Sequence, residues 1–95
     1  MKYKIQPGVI METVCGQSLL VASLEARPLC PYLTQLNEAS AYIWMMLSQG
    51  LSVEEMTERI SIDYDLASEK AAGILKDFLL ELEKNHYIQV ERDSL

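Results

Sequence analysis

The 95-residue sequence predicts an α+β fold: an N-terminal three-stranded antiparallel sheet followed by a three-helix, winged helix-turn-helix-like bundle. Three observations predict it. Up to about Leu36 the apolar residues follow a strand-like period, and after Asn37 they follow a helical one. Gly, Pro and Asn stand where one period gives way to the next. A short alternating segment, Tyr87-Ile88-Gln89-Val90, follows the last helical stretch and suits a wing. Length and the absence of a linker, repeat or low-complexity tract predict one domain over residues 1–95.

The first strand is expected over Val9–Val14, which is rich in β-branched residues and follows Pro7-Gly8. Cys15-Gly16-Gln17 reads as a tight turn in which Gly16 supplies positive φ. Ser18–Leu24 then returns as the second strand of a hairpin. Glu25–Pro31, with Pro28 and Pro31, reads as a loop. Tyr32–Leu36 is the third strand, and Pro31 before it suits a sheet edge, where a missing N–H costs little.

Asn37 is a good N-cap for the first helix. Its apolar face is Ala39, Tyr42, Ile43, Met46 and Leu47, widened by Trp44 and Met45, and Gly50 ends it. Ser52-Val53-Glu54-Glu55 is a capping box opening the second helix, whose inner stripe is Val53, Met56 and Ile60. The third helix is expected from about Leu66 to Lys84, with Asp65 as cap and Asn85 in the left-handed position that closes it. Ala67, Ala71, Ile74, Leu75, Phe78 and Leu82 share its core face, with Phe78 and Trp44 at the junction of the first and third helices.

Composition excludes several functions. Eight Lys and Arg against fourteen Asp and Glu give a formal net charge of −6, the wrong sign for displacing counterions from nucleic-acid phosphates. Cys15, Cys30 and His86 are too few and too scattered for a tetrahedral zinc site, and the two cysteines read as packed, reduced thiols. One histidine, beside a helix end, offers no partnered base for a nucleophile, and the four glycines form no phosphate-binding loop. Glu54 and Glu55 are explained by a helix N-terminus. The expectation is a protein that is not an enzyme and uses no cofactor or metal. No signal peptide or apolar span is present in the sequence, so no membrane is expected and cytoplasmic residence follows by default.

Several residues in order carry a family pattern: Leu36-Asn37-Glu38, Tyr42-Ile43-Trp44, Gly50-Leu51-Ser52-Val53-Glu54-Glu55-Met56, Tyr64, Phe78-Leu79-Leu80-Glu81-Leu82 and Tyr87-Ile88. Upstream, Gly8-Val9 and Leu19-Leu20-Val21 fit the opening hairpin. Together they resemble the PqqD-like family, named for pyrroloquinoline quinone biosynthesis protein D, whose members are precursor-peptide recognition domains. Asn85-His86 stands where the family has Gly, and Asp77 lies directly before the Phe-Leu pair rather than a few positions earlier. The resemblance implies three strands, a winged-helix-like body and a function. Such domains bind the leader segment of a ribosomally made peptide as an added strand, in a groove closed by the third helix, and present it to a radical or other modifying enzyme. Relatives act in quinone-cofactor and modified-peptide pathways.

On that reading the peptide-binding candidates are Tyr32, Leu33, Thr34 and Gln35, an uncharged strand of the kind that proteins normally protect or use. Lys70, Gly73, Asp77, Leu80 and Lys84 form a second stripe on the third helix. Leu80 interrupts its polar character, Gly73 would admit a close approach by another chain, and the lysines suit an acidic leader. The competing reading is a winged-helix transcriptional regulator with Lys70, Lys76 and Lys84 on its recognition helix, where Glu69, Asp77, Glu81 and Glu83 would repel phosphates. A dimerisation domain using Trp44, Met45 and Met46 is a third, so monomer and homodimer both stay open. The acidic balance should leave no duplex-DNA complex below about 1 μM protein at physiological salt. A mobility-shift titration checks this, and a tight sequence-dependent shift would favour the regulator.

Overall fold

A computed structural model describes residues 1–91. The elements run β1 (Lys2–Ile5), β2 (Val9–Val14), β3 (Gln17–Ala22), β4 (Leu33–Leu36), α1 (Glu38–Ser48), α2 (Val53–Asp63), α3 (Ser68–Lys84) and β5 (Ile88–Glu91). β2, β3 and β4 form the expected three-stranded antiparallel sheet in that order. Val14 faces Gln17 across Cys15-Gly16, where φ is 51° and 76°. Two successive left-handed residues are what a two-residue turn of type I′ requires, and its twist fixes the β2–β3 register.

The remaining strands make a second sheet. β1 pairs antiparallel with β5, Lys2 opposite Glu91 and Ile5 opposite Ile88. The expected terminal strand is therefore present, but its partner is an N-terminal strand that the sequence reading passed over. Lys2-Tyr3-Lys4-Ile5 does alternate, with Tyr3 and Ile5 partly buried and both lysines exposed.

The helix starts follow the sequence closely at two of three sites. Asn37 accepts a hydrogen bond from the Ser40 N–H at 2.8 Å. Ser52 and Glu55 exchange both bonds of a capping box. Gly50, at φ 80°, follows the end of α1. The third start differs: α3 begins at Ser68 behind Ala67, without a side-chain cap. Asp65 does not cap it but sits at φ 51° in the turn after α2. At the far end Asn85 has φ −90°, and His86 takes the left-handed position instead, at φ 63°. The left-handed position thus falls within the Asn85-His86 pair, and it is one that glycine takes with no Cβ to strain.

The core lies between the inner face of the large sheet and the helices. Leu20, Ala22 and Leu36 come from the sheet, Ile43, Trp44, Met46 and Leu47 from α1, and Met56 and Ile60 from α2. On α3 the buried residues are Ala71, Leu75, Leu79 and Leu82. The expected core face was drawn too wide and too far to one side. Ala67 is exposed, Ile74 is 41% exposed and Phe78 only half-buried, while Leu79 is buried. The cause is helix phase: α2 packs on α3, centring the buried stripe on Leu75 and leaving Ile74 and Phe78 on its margin. Trp44 is buried as expected, but its ring meets Tyr87 edge-on, at 6.5 Å between centroids.

Leu75→Ala should cost about 2–5 kcal/mol, while Phe78→Ala should fall short of the roughly 3–5 kcal/mol of a fully buried phenylalanine. Urea unfolding of both variants checks the order. The Ser52 N–H, donating to Glu55 at 2.9 Å, holds the Glu55 carboxyl below the ordinary carboxylate value. A depressed folded pKa gives stability that is present above the unfolded pKa and lost as pH falls through the folded one. Glu55→Gln should therefore flatten the decline of melting temperature on the acid side of about pH 5.

Candidate functional site

Among the described residues the outer edge of β4 is a free strand edge. On its inner side it pairs with β3, Leu33 opposite Val21 and Gln35 opposite Leu19. The Ala22 N–H donates to the Tyr32 carbonyl at 2.9 Å, so the backbone of Tyr32 is turned toward β3. Antiparallel ladders alternate, so Thr34 and Leu36 are turned the same way. The N–H and C=O groups of Leu33 and Gln35 point outward, where no strand stands beside them among the described residues. The side chains alternate as well: Thr34 and Leu36 face the core, while Leu33 and Gln35 are exposed on the opposite face.

This strand is fastened from behind by the segment after α3. Tyr87 is completely buried and donates its phenolic proton to the Pro31 carbonyl at 3.0 Å. The Thr34 hydroxyl is hydrogen-bonded to the same phenol. Cys30 Sγ donates to the His86 carbonyl at 3.1 Å, and burial pushes its thiol pKa up. At the strand entrance the Arg27 guanidinium lies 4.1 Å above the Tyr32 ring, and its Nε donates to the Ala22 carbonyl. The Gln35 side-chain amide donates to Gln17.

The helices add an apolar hollow at the other end of β4. Ala39 and Ile43 of α1, Ile60 of α2, Tyr64, Leu66 and Ile74 of α3 line a cavity of about 100 Å³ together with Tyr42. The Tyr42 hydroxyl is held by the Asp63 carboxylate, which raises its pKa. Ala39 lies in the first turn after β4, and Tyr87 bonds to the start of β4. α3 thus reaches α1 through Ile74 near its start, and the segment after its end reaches Pro31 and Thr34 through Tyr87. Phe78, Glu81 and Asn85 continue from Ile74 at helical spacing along the same flank of α3.

The nine residues singled out from sequence divide into two groups. Tyr32, Leu33, Thr34 and Gln35 lie together on the β4 edge. Lys70, Gly73, Asp77, Leu80 and Lys84 are all exposed, on the side of α3 turned away from the buried stripe. Leu80 lines a separate hollow with Met1, Tyr3, Val53, Ala72, Lys76 and Leu79. A Cβ on Gly73 would meet nothing within 4 Å, so no neighbour within the fold demands glycine there. Ile74 and Phe78, expected in the core, instead stand on the margin of the buried stripe, the first exposed and the second half-buried. Their signal was present in a six-residue stripe wider than one packed face needs.

Cys15 is exposed and Cys30 buried, both as free thiols, and no group of three potential metal ligands occurs among the described residues. No helix among the described residues is long and apolar enough to cross a membrane.

Comparison with known proteins adds three findings. No curated protein sequence matches the chain. The fold does match a solved structure, TbiB1 in complex with the TbiA(beta) leader peptide, with a TM-score of 0.77 and 22% sequence identity over 98% of this chain and 100% of that one. The sequence model of coenzyme PQQ synthesis protein D matches residues 32–88, from the exposed strand to the end of the Tyr87-Ile88 pair. That stretch is more than half of the chain and contains β4, all three helices and the tyrosine that joins them, so the chain belongs to the family of coenzyme PQQ synthesis protein D.

Proposed function

We propose that this chain binds the leader segment of a ribosomally made precursor peptide as a fourth strand on the edge of β4, and holds it for a modifying enzyme such as a radical enzyme. The observation that carries the reading is the pair of residues with outward-facing backbone groups, Leu33 and Gln35, on an uncharged edge; on this reading the half-exposed Ile74 and Phe78 of α3 flank the added strand. Strand addition takes affinity from main-chain hydrogen bonds and selectivity from the pockets that receive alternate side chains. The opposite sheet edge, β2, carries Glu12, and charge is a usual way of blunting an edge. Family membership supports the reading, as does the shared fold with TbiB1, which was solved with a leader peptide.

The role is that of a carrier rather than a catalyst. The proposed site consists of backbone groups, aliphatic and aromatic side chains and amides, without a nucleophile and base in reach of one another. The peptide-facing surface is assigned to Tyr32–Gln35 and to the Ile74–Phe78 flank of α3. The outward stripe from Lys70 to Lys84 is left for solvent or for the enzyme.

Because backbone direction alternates, proline substitutions separate binding from folding. Thr34→Pro removes a donor that β3 uses and should destabilise the sheet. Gln35→Pro removes an outward backbone donor and the exposed side-chain bond to Gln17, and should keep the circular dichroism spectrum and most of the melting temperature. It should weaken binding of the leader peptide encoded beside this chain about tenfold or more, equivalent to 1.4 kcal/mol. Ile74→Glu should do the same from the helix side. Calorimetric titration checks both, and unchanged affinity in both variants would remove the β4 groove from the site.

A further inference from the structure

The outer face of the sheet carries a row of aliphatic side chains that the groove does not use. Ile10 stands opposite Val21, and Val21 stands opposite Leu33. Directly opposed residues on neighbouring strands point to the same face. The row therefore crosses all three strands on the face away from the helices and ends at the open edge. Ile10 and Leu33 are each 53% exposed, and Val21 between them is partly buried. The next row runs Glu12, Leu19, Gln35 and is polar at both ends.

We infer that this outer row reads one residue of the bound peptide, selecting an aliphatic side chain at the position that stands across from Leu33. The inference rests on strand addition at β4 and deepens it. Leu33 and Gln35 are the residues whose backbone groups an added strand must use. Whichever direction that strand runs, the residues across from Leu33 and Gln35 point to the outer face, and the residue between them points toward the helices. The groove beside α3 therefore reads only alternate residues. The first of the outer positions extends Ile10–Val21–Leu33 by one aliphatic neighbour, and the second meets the Gln35 amide. The ligand class is a strand-forming peptide with an aliphatic residue and, two positions away on the same face, a residue able to hydrogen-bond. A second copy of this chain is a poorer occupant. Three aliphatic side chains supply a small part of the roughly 800 Å² per partner that a stable dimer buries.

The test is selection of a displayed library of random twelve-residue peptides on the wild-type chain, on Leu33→Glu and on Leu33→Thr. The wild type should enrich an aliphatic residue at one position of the aligned peptides. Leu33→Glu should enrich Lys or Arg at that same position, with the other selected positions unchanged. Leu33→Thr keeps a strand-favouring side chain and should erase the preference there without creating a basic one. Synthetic peptides with Leu or Lys at that position should reverse their order of affinity between wild type and Leu33→Glu, the ratio changing about five- to tenfold. An aliphatic consensus that persists in both variants overturns the outer-face assignment and leaves the edge site standing. Enrichment of no peptide by the wild type overturns the edge site and this inference together.

Discussion

The Tyr87 hydroxyl carries one proton and meets two oxygens, the Pro31 carbonyl and the Thr34 hydroxyl. A carbonyl can only accept, so the phenol donates to Pro31 and Thr34 donates to the phenol. Burial pushes the phenol pKa above its ordinary value, so the proton that this arrangement needs stays in place at neutral pH. The ring itself lies edge-on to Trp44 of α1. One side chain thus ties the segment after α3 to β4 and to the first helix. A buried hydroxyl left without partners would cost about 1–3 kcal/mol, so the two bonds fix the position of β4 as well as satisfying the tyrosine.

That fastening explains how an edge strand can be both rigid and open. β4 is short, enters from a proline and leaves directly into a capped helix. Its inner ladder to β3 and its side-chain bonds to Tyr87 hold it from one side and from below. The outward backbone of Leu33 and Gln35 stays unpaired among the described residues because the elements that hold the strand all approach from elsewhere. Preorganisation of this kind lowers the ordering cost of binding a flexible chain.

Much of this was legible in the sequence because the signals are local. Period, turn glycine and capping residues placed β2, β3, β4 and the start of α2 within a residue or two. The β1–β5 pairing was not legible, since its two partners are separated by almost the whole chain and only the packed fold joins them. The strand half of the proposed site rests on charge and proline, which are visible residue by residue. The helix half of the proposal turns on the rotation of α3, which the sequence leaves open because Ile74, Phe78, Leu79 and Leu80 are all apolar. A change in helix phase of a fraction of a turn exchanges core for margin, and only the packing against α2 sets it.

The brevity of β4 also bears on self-assembly. Two outward residues present two donors and two acceptors, and each hydrogen bond is worth about 0.5–1.5 kcal/mol net. Their sum, roughly 2–6 kcal/mol, reaches only the lower end of the roughly 4–15 kcal/mol that association costs in lost translational and rotational freedom. Backbone bonds through β4 therefore give edge-to-edge stacking of identical chains little net support, which lowers the risk that the open edge templates a fibril. A chain that pairs there for any length of time must bring side chains that fit the surfaces on either face of the strand.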